Sequence, residues 1–404
     1  MIDSTSFLVI VVTAALAGVV VTFASTWVTI PVVVVELLLG IAIGPHGLNI
    51  AHVNSFTDFF ANLGLGMLFF FAGYEIDFAR IRGRPLELAI VGWCLSLGLA
   101  YGIGGLLAAA GVVVSLVYTG SALATTAIGT LIPILSDAGE LRTRFGTYLL
   151  AAGALGEFGP VLLITLVLST THPLDQAVIL VAFVILAVIT GLLAVGSVGR
   201  GWSALERTFE SSSQLAIRLA VVLVFALLAL ASHLGLDILL GGFVAGLITR
   251  FALHDRELAV FESKISAVGY GFLIPFFFVT SGMKFDLPAL VNSPTALLKL
   301  PLFLALFLLV RGAPAILLYR RDLELRDRTA LAIYSATELP LVVAITTVAV
   351  DTGHMRLTTS AALVGAAIIS TLAFPLIAGG LRRGRAAEEA ALEERPPEAA
   401  AAVV

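Results

Sequence analysis

Two acids in this chain stand at positions where acids are costly. Glu157 lies near the middle of TRFGTYLLAAGALGEFGPVLLITLVLS (Thr143 to Ser169), with apolar or small residues for more than two turns on either side. Glu338 follows Ser335-Ala336-Thr337 and precedes Leu339-Pro340 inside a second apolar run. A bilayer span needs about 20 mostly apolar residues, and an ionisable group at that depth costs roughly 2.5 to 3.5 kcal/mol on insertion scales. Such an acid takes up and releases a proton, holds a cation, or satisfies a buried partner. Hydroxyls mark two interrupted runs: Thr119, Ser121, Thr125 and Thr126 share the run before that of Glu157 with Gly120, Gly129 and Pro133, and Ser335 and Thr337 stand beside Glu338. Hydroxyls, a Gly or Pro and a carboxylate at mid-membrane depth are what a broken helix needs to turn oxygens toward a cation. Any single Ser or Thr can instead bond back to its own helix. Gly153, Gly156 and Gly159 crowd the region of Glu157 and would let a neighbouring helix or an ion approach the backbone.

The elements that must position these groups are membrane helices. The 404 residues are 59% hydrophobic and 12% charged, with mean hydropathy +1.06, where a soluble domain carries about a quarter charged residues. Thirteen apolar runs read as candidate spans, with Glu157 on the sixth and the interrupted runs on the fifth (about 112–135) and twelfth (about 329–350). The ninth, about 238–250, is short for a full crossing. The N-terminal run lacks a basic leader and reads as a retained span. Basic residues cluster after the odd-numbered spans, for example Arg80, Arg82 and Arg84, then Arg320, Arg321, Arg326 and Arg328. The opposite loops hold only Lys284, Lys299 and Arg356. By the positive-inside rule the N-terminus lies outside and the C-terminus in the cytoplasm of a cell membrane. A polar connector near 200–213 separates two halves, and an Ala/Glu/Pro-rich tail, 382–404, follows a membrane domain of 1–381 and reads as disordered. Cys94, alone, forms no internal disulfide.

The halves look alike. LLLGIAIG (Leu37 to Gly44) on the second span matches LLGGFVAG (Leu239 to Gly246) on the ninth, and LGMLFFFAGYEIDF (Leu65 to Phe78) on the third matches FLIPFFFVTSGMKFD (Phe272 to Asp286) on the tenth. Both offsets are seven spans, and an odd offset reverses the direction of crossing, giving inverted repeats of about 28–169 and 238–381. The same offset pairs the fifth span with the twelfth. The expected fold is therefore an all-α polytopic membrane protein with two broken helices.

Beyond these readings the chain resembles the monovalent cation:proton antiporter-2 family of Kef-type and bacterial sodium/proton antiporters. The resemblance rests on ELLLGIAIGPHGLNI (Glu36 to Ile50), ANLGLGMLFFFAGYEIDFARI (Ala61 to Ile81), SALATTAIGTLIPILSDAGELRTRFG (Ser121 to Gly146), LLGGFVAGLI (Leu239 to Ile248) and IPFFFVTSGMKFDL (Ile274 to Leu287). It implies a core domain with two crossed, unwound helices, a dimerisation domain, a homodimer, and alternating access that exchanges Na+ or K+ for protons. It implies Glu157 as the shared proton and cation carboxylate, Thr125 and Thr126 as oxygen donors beside it, with Ser121 and Thr337 as further cation-binding hydroxyls, and Glu338 on the second broken helix. Related antiporters keep a basic partner for the core acid, for which Arg311 and Lys284 are the candidates. A guanidinium at the depth of Arg311 needs a carboxylate, whereas Lys284 next to Phe285-Asp286 could be wetted at the outer surface. One departure stands out: where the family places a polar residue before its core acid, this chain has Gly156.

That departure leaves a proton-coupled carrier of an organic substrate on the same fold as one alternative, and a cation channel as a weaker one, since nothing resembles a carbonyl-ring filter. No cofactor, enzymatic activity, nucleotide or nucleic-acid partner is expected. The chain has no P-loop, and its six histidines fall near loops or span ends without metal-ligand spacing.

Overall fold

The structure, a computed structural model, describes residues 4–24, 31–75, 81–167, 214–234, 238–252 and 255–385, with scattered positions of 178–189. Most of the expected seventh span, the connector near 200–213 and the tail beyond 385 lie outside the described residues. Among the described residues the regular elements are all helical. In chain order the principal helices, apart from the single turn Leu287–Val291 and two short 3-10 turns, are α1 (Ser4–Ala24), α2 (Val32–Ile43), α3 (Ser55–Tyr74), α4 (Arg84–Ala109), α5 (Leu116–Leu123), α6 (Ile128–Asp137), α7 (Arg144–Val167) and α8 (Leu215–His233). There follow α9 (Ile238–Ala252), α10 (Asp255–Val268), α11 (Ile274–Lys284), α12 (Pro294–Phe307), α13 (Ala313–Leu318), α14 (Leu325–Ser335), α15 (Pro340–Asp351) and α16 (Leu357–Arg382). Single π turns, Gly269–Leu273 and Leu308–Gly312, join α10 to α11 and α12 to α13.

Among the described residues seven stretches are long and apolar enough to cross a membrane, and there are shorter apolar helices besides. The shortest pieces are the informative ones. With a rise of about 1.5 Å per residue, the eight residues of α5 and ten of α6 each reach only about half of a hydrocarbon core of about 30 Å. The expected interruptions are therefore real breaks, at Ala124–Ala127 and at Ala336–Leu339, and the second ends where Pro340, which has no N–H to donate, opens α15.

The chain forms two compact units, each drawing on both halves: 1–77 with 158–288, and 78–157 with 289–404. In the first unit glycines bring backbones together. A Cβ at Gly40 of α2 would strike the Val279 carbonyl of α11, and one at Gly282 the Leu37 carbonyl. Likewise a Cβ at Gly73 of α3 would strike the Phe243 carbonyl of α9, and ones at Gly242 and Gly246 the carbonyls of Gly66 and Phe70. Spans two and nine are one matched pair and spans three and ten the other, so the α2–α11 contact is the image of the α9–α3 contact. That is the packing two repeats related by a two-fold produce.

In the second unit a buried cluster including Leu131, Leu135, Phe145, Leu149, Leu331 and Tyr334 joins α6, α7 and α14. At the end of α16 the buried Arg382 donates to Glu140 Oε1 and Oε2 at 3.0 and 2.8 Å and to Asp327 Oδ1 at 2.9 Å. Its guanidinium carbon also lies 4.3 Å from the centroid of the Phe145 ring. Arg385 adds a contact to Asp327 Oδ2 at 3.2 Å, and this mutual pairing is what lets the charges of Arg382, Glu140 and Asp327 stay buried together.

Candidate functional site

All the groups at the two breaks belong to the second unit. Glu157 on α7 is 1% exposed, and its Oε2 accepts from the backbone N–H of Gly129 at 3.2 Å, in the first turn of α6. The break thus presents an uncapped helix start, with its unbonded N–H groups and positive dipole end, to the carboxylate.

Local chemistry holds the breaks together. Pro160, inside α7, has no N–H for the Gly156 carbonyl four residues back, and that carbonyl accepts instead from Thr126 N–H of the first break at 3.0 Å. The next amide, Ala127 N–H, donates to the Thr337 carbonyl of the second break at 2.8 Å. This bond is where the two broken helices cross. On the far side, Thr371 of α16 donates to the Glu338 carbonyl at 2.8 Å, and Glu338 N–H donates to Ser370 Oγ at 3.0 Å. Two unwound segments, which would otherwise strand several backbone groups in hydrocarbon, are in this way bonded to their neighbours.

Arg311 sits in the π turn between α12 and α13 and is 4% exposed. Its Nε donates to Thr126 Oγ1 at 2.8 Å, Nη1 to Ser96 Oγ at 3.2 Å and Nη2 to the Ala152 carbonyl at 3.1 Å. The expected direct ion pair between Arg311 and a core carboxylate is not formed among the described residues. The guanidinium meets neutral oxygens, and of the two acids Glu338 lies within its electrostatic reach. Thr126 connects it to the second break by donating to the Ser335 carbonyl.

Gly156 explains the departure noted in the sequence. A Cβ there would collide with Arg311 Nη2 and lie 2.7 Å from Thr126 Oγ1. The space of a polar side chain before the acid is filled by a guanidinium arriving from a distant helix.

Around this scaffold several oxygens have no partner. Thr125 Oγ1 lies 3.0 Å from the Ala122 carbonyl and also contacts Glu338 Oε2. A hydroxyl carries one hydrogen, so both contacts are hydrogen bonds at once only when Glu338 holds a proton. Glu338 Oε1, Thr337 Oγ1, Ser335 Oγ and Thr119 Oγ1 are buried without a hydrogen-bond partner. Oxygen donors without hydrogen bonds are suited to a hard cation, which takes carboxylate, hydroxyl and carbonyl ligands.

Of the residues singled out in the sequence, Glu157, Thr125, Thr126, Thr337, Glu338 and Arg311 are joined by this network. Ser121, also buried, pairs with Tyr101 Oη at 3.0 Å. Lys284 lies in the first unit, where its Nζ is 2.6 Å from Asp58 Oδ1 in a half-exposed pair. Ser96, Ser370, Thr371 and Pro160 were not anticipated. A single serine in an apolar span reads as bland, and only Pro160, four residues after Gly156, left a local signal of a freed carbonyl.

A family model described as "Sodium/hydrogen exchanger, transmembrane" matches residues 10–380. YjbQ of Bacillus subtilis (strain 168), which bears the name of an Na(+)/H(+) antiporter, is 26% identical over 367 residues, covering 86% of this chain and 58% of that protein. The Na(+)/H(+)-K(+) antiporter GerN of Bacillus cereus is 24% identical over 290 residues, covering 69% of this chain and 72% of that protein. Among solved structures, the sodium proton antiporter MjNhaP1 of Methanocaldococcus jannaschii at pH 8 matches with a TM-score of 0.64 and 19% identity over 97% of this chain and 99% of its own, which shows a shared fold. The chain is a multi-pass membrane protein and belongs to the sodium/hydrogen exchanger transmembrane family.

Proposed function

We propose that this chain exchanges a monovalent cation, Na+ or K+, for protons, with the Glu157 carboxylate as the group the two compete for. The observation that supports it best is Glu157 itself: a buried carboxylate held at the start of a half-helix, beside a second break whose Thr337 hydroxyl and Glu338 Oε1 have no partner. The relatives' names point the same way.

The exchange logic follows from electrostatics. A lone carboxylate away from water must be neutralised, by a proton or by a cation. Ionised, Glu157 attracts a cation, with Thr125, Thr126, Thr337 and the freed carbonyls supplying neutral oxygens. Protonated, it has no charge to hold one. If only the occupied site changes its accessibility, cation in one direction requires proton in the other, and a leak is avoided. Arg311 supplies a fixed positive charge within electrostatic reach of Glu338. The N-terminus outside and C-terminus inside, supported by the arginine distribution, and a homodimer belong to the same reading.

The test is reconstitution of the purified protein in liposomes with an internal pH dye, the membrane potential clamped, and Na+, K+ or Li+ added in turn. Cation-driven proton movement that disappears in Glu157→Gln supports the reading and names the ion. Undiminished exchange in the folded variant removes Glu157 as carrier, and silence toward every alkali cation sinks the exchange reading.

A further inference from the structure

The first unit contains a buried acid that the exchange site does not use. Glu36, on α2, is 3% exposed, and its Oε2 has no hydrogen-bond partner. It lines a cavity of about 330 Å³ together with Val11, Ala14 and Gly18 of α1, Tyr270 of the π turn and Phe276 of α11. The remaining lining is apolar or glycine. A carboxylate in such surroundings asks for a countercharge, and among the described residues no Lys or Arg lines the cavity.

A bare alkali ion is a poor occupant. It takes several oxygen ligands at once, and beyond Glu36 the lining side chains offer only the Tyr270 hydroxyl. The shape and chemistry suit a cation that brings its own apolar surface. An engineered apolar cavity of about 150 Å³ already holds benzene, so this one has room for a ring and a short chain with an ammonium at the end. We propose that this cavity is a binding site for an amphiphilic organic ammonium ion, whose N–H groups donate to Glu36 and whose apolar body lies along Val11, Pro275 and Phe276. The site is separate from the Glu157 site and does not depend on the exchange reading.

The probe is 4-phenylbutylammonium, compared with its neutral counterpart 4-phenylbutan-1-ol, titrated calorimetrically into the full chain in lipid nanodiscs with empty nanodiscs subtracted. The ammonium is expected to bind saturably, the alcohol at least tenfold more weakly, and Glu36→Gln to weaken ammonium binding at least tenfold. A second variant leaves the acid in place: a Cβ at Gly18 would meet nothing within 4 Å, so Gly18→Leu fills the cavity, and it too should abolish saturable binding. If Glu36→Gln does not fold, Gly18→Leu and the alcohol comparison decide. Absence of saturable ammonium binding, equal binding of the alcohol, or binding unchanged in the folded variants would overturn the proposal.

Discussion

The guanidinium of Arg311 occupies the space that a side chain on Gly156 would need. A glycine beside the core acid and an arginine 155 positions later in the chain are thus one feature. Gly156→Ala, the smallest change available, should force Arg311 off Thr126. Overpacking of this kind costs about 1–3 kcal/mol. The expected outcome is folded protein with a lower unfolding midpoint and at least tenfold slower cation-driven proton movement. Wild-type exchange in Gly156→Ala would mean that the position of Arg311 is unimportant.

Arg311→Lys keeps the charge and loses the fork. Three donors reach Thr126, Ser96 and Ala152 from fixed angles, and an ammonium on a flexible stem cannot reproduce all three. Hydrogen bonds from a charged group are worth about 1.5–3 kcal/mol each. Thermal unfolding should show destabilisation of at least that size, with exchange reduced more than in Ser96→Ala, which removes one neutral acceptor.

Thr125 separates a hydroxyl's role from a methyl's. Thr125→Val removes the contact with Glu338 and strands its Oε2, at a cost of about 1–3 kcal/mol for an unsatisfied buried group, whereas Thr125→Ser retains the oxygen. Exchange rates should fall at least tenfold in the valine variant and stay within about threefold of wild type in the serine variant. Equal rates in the two would show that the hydroxyl does nothing.

Breaking the Arg382 cluster tests stability rather than transport. Arg382→Met leaves Glu140 buried without its ion-pair partner, whereas Asp327 keeps Arg385 at 3.2 Å, and breaking a buried pair costs about 3–5 kcal/mol. Adding Glu140→Gln should recover part of that loss, because the uncompensated charge is removed as well. Unfolding midpoints of the single and double variants measure both effects.

Lys284→Ala distinguishes the two basic candidates. Its pair with Asp58 is half exposed, and such pairs are worth about 0–1 kcal/mol. Stability and exchange in this variant should both stay near wild type. A loss of exchange like that of Arg311→Lys would place Lys284 in the carrier's machinery after all.

The sequence by itself determined the class, the two breaks and the carboxylates. Hydrophobic composition and span length follow from the bilayer's thickness, which is a local constraint. Ser335-Ala336-Thr337-Glu338-Leu339-Pro340 announces an interruption because Pro340 cannot donate to the preceding turn and hydroxyls can satisfy what is freed. The seven-span offset was legible for a similar reason: glycines at 40, 282, 242 and 246 mark backbone contacts that both repeats require. Pairing was what the tertiary structure decided. That Arg311 would meet Thr126, Ser96 and a carbonyl instead of a carboxylate, that Lys284 would take Asp58, and that Ser370 and Thr371 would hold the Glu338 backbone all depend on which helix faces touch. Those contacts join residues up to 226 positions apart, as in the Lys284–Asp58 pair. No local periodicity encodes such distances, because they are set by how whole helices pack around two crossed breaks.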